Sequence, residues 1–178
     1  SADGGMHPLG AIASQLTASA HSKDGEFRTQ IETLVARGWL DQAPEQAPIA
    51  AYDDPSEPLE VRAMAYLNMQ CGHCHNPEGA ADTSGLVLTG RHEKLVSTGV
   101  CKPPVAAGGG AGDLQYGIVP GDPDSSILHY RLASQRPDEM MPELGRSLVH
   151  AEGVALVREW ITAMSGDCAK SSAQAAGE

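Results

Sequence analysis

Residues 71–75 read Cys71-Gly72-His73-Cys74-His75, and this pentapeptide decides how the rest of the chain is read. Two thiols three positions apart can each form a thioether to one of the two vinyl groups on a porphyrin edge. The histidine directly after the second thiol is then held under the iron, where a neutral imidazole is a fitting ligand. C-x-x-C-H is accordingly the attachment sequence of c-type haem. Three other readings use the same residues. A dithiol redox pair needs a strand before its first Cys and a helix after it, yet Leu59, Ala63, Tyr66 and Leu67 precede at helical spacing and Asn76-Pro77 follows. A zinc knuckle needs a second ligand pair at short spacing, whereas Cys101 and Cys168 stand alone. A chance occurrence without any cofactor is the third. The expectation is one covalent haem c, with Cys71 and Cys74 as anchors and His75 as proximal iron ligand.

Composition agrees with a haem-filled core. Of 178 residues, 41% are apolar and 20% charged, while aromatics make up 4% with one Phe. So few large flat side chains leave room for a non-peptidic group to supply bulk. Lys+Arg number 12 against 23 Asp+Glu, a net charge of −11, which argues against nucleic acid or an anionic membrane as partner. The apolar runs are too short for a membrane span.

Haem c is attached outside the bacterial cytoplasmic membrane, so a periplasmic or other extracytoplasmic location is expected. Ser1-Ala2-Asp3 reads as a mature terminus after signal removal, or as a chain boundary. An oxidising compartment lets Cys101 and Cys168 pair. Such a disulfide would close a long loop, contributing roughly 4 kcal/mol on the chain-entropy model; two separate buried thiols are the alternative.

Periodicity divides the chain into residues 1–55, 56–168 and 169–178. In the first part, Phe27, Ile31, Leu34 and Val35 predict an amphipathic helix closing near Gly38, with a weaker helix from Ala11 to Leu16. Asp41 to Pro58 is Pro- and Ala-rich and reads as linker. The second part starts with a helix capped near Ser56–Pro58 and running through Tyr66 to the Cys pair. A short helix is expected around His92–Val96, and Ala106 to Gly112 is plain glycine-rich loop. Pro120 to Asp124 is a turn leading into a helix capped by Asp124 or Ser125. The last helix carries Val154, Val157, Ile161 and Met164 on one face beside Trp160, and Gly166 is expected to end it. Ala169–Glu178 reads as a flexible tail.

The sixth iron position decides function. Met141 precedes Pro142, and a residue before proline avoids helical geometry. An extended segment of this kind can cross a porphyrin face and present a thioether, which makes Met141 the expected distal ligand and Met140 its alternative. Met64, Met69 and Met164 sit on helix patterns and read as core. His92, His129 and His150 read as surface or capping residues. Arg131 and Arg146 lie near the right segments for haem propionates, though each also reads as an ordinary surface charge. An open sixth site, serving a peroxidase or small-ligand sensor, is the competing reading, but no acid–base constellation for peroxide chemistry is visible.

A helix ending in CxxCH, a later Met-Pro segment and a terminal helix bearing Trp160, able to cross the first near Tyr66, resemble the class I cytochrome c pattern. More narrowly, Arg62-Ala63-Met64-Ala65-Tyr66-Leu67 into Cys71–Pro77, Ser84-Gly85-Leu86, Cys101-Lys102-Pro103-Pro104, Ile118 to Pro123 and Met141-Pro142-Glu143-Leu144-Gly145-Arg146 resemble a family of bacterial c-type cytochromes. The likeness spans roughly residues 24–165. Longer members have an extra N-terminal region that can carry a second haem motif; this sequence has a single CxxCH. The resemblance implies an all-α, cytochrome c-like haem domain with an N-terminal helical extension. Six-coordinate, low-spin iron exchanges electrons with little rearrangement and needs no substrate pocket, so a one-electron carrier rather than an enzyme is expected. A soft, neutral Met ligand opposite His implies a positive potential. The acidic balance implies a redox partner with a basic docking patch, and a haem subunit of a larger oxidoreductase or multihaem assembly is a third reading.

Overall fold

The helix expected to carry the Cys pair forms as α2, Leu59–Cys71, in a computed structural model of the chain. Residues 13–17, 19–21, 27–44, 49–90, 95–105 and 108–169 are described. Contacts divide the described residues into an N-terminal unit ending at Ala50 and a larger unit running from Ala51. Most of the regular structure is helical: α1 (Gln30–Ala36), α2, α3 (Ile127–Ala133) and α4 (Ala151–Ala163), with short 3-10 turns between them. No helix among the described residues is long and apolar enough to cross a membrane.

The N-terminal unit departs from an all-helical expectation. Ser19–His21 (β1) and Phe27–Thr29 (β2) pair antiparallel, with Ala20 opposite Arg28. Phe27 therefore lies on a strand, not on the predicted helix. The reason is Thr29, whose hydroxyl accepts the Glu32 N–H at 3.1 Å while the Glu32 carboxylate accepts the Thr29 N–H at 2.7 Å. This capping box starts α1 one residue later. Its end is closed as expected: Gly38, at φ +68°, lets the Trp39 N–H reach Leu34 O and its own N–H reach Val35 O. The weaker early helix is a 3-10 turn, Ala13–Thr17, and Ala11 lies outside the described residues.

In the larger unit, Pro58 occupies the N-cap of α2. Ser56 lies two residues before it, its N–H and hydroxyl both donating to the Asp54 carboxylate at 2.9 and 2.7 Å. Ala63, Tyr66, Leu67 and Cys71 form the buried face of α2. They pack with Leu156, Val157, Trp160 and Ile161 of α4, and with Leu88, Ile118 and Leu132. A fully buried Leu or Ile such as Leu67 or Ile161 contributes roughly 2 kcal/mol.

The two long helices meet where Gly153 faces Tyr66. A Cβ at Gly153 would lie 2.1 Å from the Tyr66 ring, so only glycine allows this approach. Trp160 is buried in the same cluster as Tyr66 and also lines a cleft with Leu59 and Glu60. The two helices thus meet at Tyr66 and Gly153, and Leu59, Glu60 and Trp160 line one cleft between them.

Other boundaries shift for local reasons. The N-cap of α3 is Ser126, not Asp124 or Ser125, and Asp122 caps the 3-10 turn before it, its carboxylate accepting the Ser125 N–H at 3.1 Å. Asp124 is engaged by Arg158 of α4 through two bonds of 2.6 and 2.8 Å. α4 ends before Met164 rather than at Gly166, though Met164 still packs on the core. The region around His92–Val96 holds a 3-10 turn at Leu95–Thr98, and His92 lies outside the described residues. Another such turn, Gly108–Ala111, occupies the glycine-rich loop. The tail from residue 170 onward lies outside them too. Cys101 and Cys168 are disulfide-bonded, with Cα atoms 5.0 Å apart across 67 residues.

Candidate functional site

The last turn of α2 delivers Cys71 to the core and the next four residues wrap around it. The Cys74 and His75 N–H groups both donate to Cys71 O, at 3.1 and 2.9 Å. Asn76 holds this turn by donating its side-chain amide to Gly72 O at 2.8 Å and His73 O at 3.3 Å. The Cys74 carbonyl receives the Ala81 N–H, and the His75 carbonyl receives that of Leu88. The pentapeptide is thereby fixed on the side of the core where Leu88 is buried.

Cys71 and Cys74 are free thiols, Cys71 buried and Cys74 half-buried. Burial, and then the nearby Cys74, pushes the Cys71 thiol up to about 12. A thiol so placed at a helix C-terminus is a poor thiolate, the reverse of what dithiol exchange requires. Cys101 and Cys168 are joined to each other, which removes them as zinc thiolates. Among the described residues, no three His, Cys, Asp or Glu side chains gather around a metal position.

His75 is oriented by Ser84. The Ser84 hydroxyl lies 3.0 Å from His75 Nδ1 and 2.6 Å from Ala81 O, and it accepts the Leu86 N–H at 3.2 Å. Ala81 O can only accept, so the single hydroxyl proton goes there. His75 Nδ1 must then carry the proton it shares with Ser84, which leaves Nε2 as the unprotonated nitrogen. Burial first, then the Arg131 guanidinium and His73, hold the His75 pKa below its ordinary value, favouring the neutral ring. Ser84 is itself anchored: Lys102 Nζ donates to its carbonyl at 2.8 Å, and Gly85 follows in the left-handed conformation. A neutral imidazole with an oriented free nitrogen, beside two free thiols at CxxCH spacing, is a donor set that fits haem c.

Met141 lies in a second hydrogen-bonded segment. Its N–H donates to Arg131 O at 2.9 Å, its carbonyl accepts from Arg146, and its bond to Pro142 is cis. Met140 N–H donates to Arg136 O at 2.8 Å. Both methionines are half-buried. Arg131 connects the two segments, since its carbonyl holds Met141 while its guanidinium acts on His75. Arg131 Nε donates to Glu139 O at 2.8 Å. Arg146, a propionate candidate from sequence, donates to the backbone carbonyls of Leu132, Ser134 and Met141.

The remaining candidates lie elsewhere. Met64 packs against the core. His129 sits on α3. His150 occupies the N-cap position of α4 and stacks on Tyr66 with ring centroids 5.6 Å apart. Ser84, Asn76 and Lys102 were not singled out as site residues from sequence. The signal for Ser84 was the Ser-Gly pair itself, which closes a 3-10 turn and turns the hydroxyl back toward its own backbone.

No family model, curated protein or solved structure matches the chain.

Proposed function

We propose that the chain is an extracytoplasmic monohaem c-type cytochrome that transfers one electron at a time. The observation that carries this reading is the CxxCH turn with His75 Nε2 left unprotonated by the Ser84 contact. Haem c, when bound, supplies an iron that passes between its ferric and ferrous forms. Cys71 and Cys74 would hold the porphyrin covalently, with His75 Nε2 as proximal ligand and the Met141 thioether as distal ligand. The neutral thioether favours ferrous iron, so a positive potential is expected. The cytochrome c-like arrangement is supported by α2 leading directly into the Cys pair and by its packing on the C-terminal helix α4. A net charge of −11 suits a redox partner with a basic docking patch, and the association rate should fall as salt rises.

Absorption spectra of the purified ferric and ferrous protein, beside Met141→Ala, test this. A low-spin spectrum with the weak near-red sulfur-to-iron band, lost in the variant, supports His/Met ligation and an electron carrier. A high-spin native spectrum that shifts with cyanide or carbon monoxide would sink it in favour of an open-site enzyme or sensor. A protein carrying no covalent haem would end the cytochrome reading altogether.

A further inference from the structure

The stretch Glu143–Leu148 is turned inside out relative to its hydropathy. Leu144 and Leu148 are each 81% exposed, and Glu143, Gly145 and Ser147 are exposed as well, while Arg146 alone is half-buried. A guanidinium gains from being shielded only where its planar fork finds acceptors. Arg146 finds three. Nη1 donates to Leu132 O at 3.0 Å and to Met141 O, and Nη2 donates to Ser134 O.

These acceptors come from the end of α3 and from the methionine itself. The Met141 N–H is already held by Arg131 O, so both polar groups of the Met141 backbone are bound. The intervening chain is closed by Arg131 Nε on Glu139 O and by Ser134 Oγ on the Glu139 carboxylate at 3.0 Å. A thioether is too weak an acceptor to be aimed by hydrogen bonds of its own. Its direction has to come from the backbone that carries it.

We propose that Arg146 is the positioning residue for Met141: it gathers the Leu132, Ser134 and Met141 carbonyls and so holds the thioether where it can meet the iron. This rests on the reading of Met141 as distal ligand. Arg146 acts through the backbone and touches no reacting atom.

The experiment compares native protein with Arg146→Lys, which keeps the charge but loses the fork, and Arg146→Gln, which keeps a planar donor without charge. Arg136→Ala serves as a control, since Arg136 pairs with Asp138 and Glu139 on the same loop without holding Met141 O. The readouts are the near-red band and the affinity for imidazole as a competing ligand, at a temperature where circular dichroism shows each protein folded. Both Arg146 variants should weaken the band and bind imidazole about tenfold more tightly or beyond, with the control unchanged. If one Arg146 variant fails to fold, the other carries the measurement. A normal band and unchanged imidazole affinity would overturn the Arg146 proposal while leaving Met141 as ligand. An equal effect from Arg136→Ala would overturn it too, as general loosening of the loop. Absence of the band from native protein would remove the Met141 reading and this proposal with it.

Discussion

The two segments that present His75 and Met141 are held by opposite means. Around His75 the side chain itself is bonded, its Nδ1 to Ser84, whose carbonyl is in turn held by Lys102. Around Met141 only the backbone is bonded, its N–H to Arg131 and its carbonyl to Arg146. An imidazole has a second nitrogen that can be gripped while the first is left free; a thioether has no such handle. The chemistry of each side chain therefore dictates whether the fold controls it directly or through the chain.

The largest expected effect comes from removing the disulfide. Cys101 lies beside Lys102, so the 67-residue closure supports the His75 side of the comparison. Replacing Cys101 and Cys168 together by Ala should lower unfolding free energy by roughly 4 kcal/mol, measured by urea denaturation. A smaller loss would mean that the Lys102–Ser84 contact survives without the clamp. Next, Gly153→Ala should cost about 3 kcal/mol, because its Cβ would fall on the Tyr66 ring. It strikes the helix pair beneath both segments, and calorimetry should show one cooperative transition at lower temperature.

Ser84→Ala removes the acceptor of His75 Nδ1 and leaves the candidate distal segment untouched. With the proposed haem bound, it should weaken the hold of His75 on iron roughly 10- to 100-fold, read as displacement of His75 by protons in acid titration of the low-spin spectrum, with Ser84→Thr retaining the native behaviour. Equal displacement in both would break the distinction between direct and backbone control. Alkaline stability sharpens the frame common to both segments. Burial pushes Tyr66 up to about 12, whereas an unfolded tyrosine ionises near 10. The stability it contributes is complete below pH 10 and falls from there toward 12, as the unfolded chain loses its proton first. Tyr66→Phe should flatten that fall in urea titrations. The smallest effect belongs to Asp124→Asn, which breaks an exposed pair with Arg158; its slight destabilisation should vanish at high salt.

The parts legible in the sequence are those written in local pattern. The α2 and α4 faces follow from apolar spacing, Gly38 closes α1 where a left-handed glycine should, and Cys101 with Cys168 were the two thiols outside the motif. The misplaced features depend on competition among neighbours. Ser56 could cap α2, but its hydroxyl is turned onto the Asp54 carboxylate and Pro58 takes the N-cap position. Asp124 could cap α3, but Arg158 reaches it from 34 residues away and Ser126 takes the N-cap position. Phe27 fits a helical stripe, yet Thr29 is the better start because its reciprocal bonds with Glu32 satisfy two amide groups at once. Arg146 was the hardest to read. Nothing in Glu143–Leu148 announces that the charge turns inward and the leucines outward, since two of the three carbonyls that draw it there, those of Leu132 and Ser134, lie 14 and 12 residues away.

The contact between Gly153 and Tyr66 has a consequence for how this chain can vary. With 2.1 Å between a would-be methyl and the ring, the two positions share a single volume. Alanine at 153 should be damaging beside Tyr66 and far less so beside a leucine at 66, so their effects will not add. Any route of substitution through this crossing must shrink the side chain on one helix before it enlarges the one on the other.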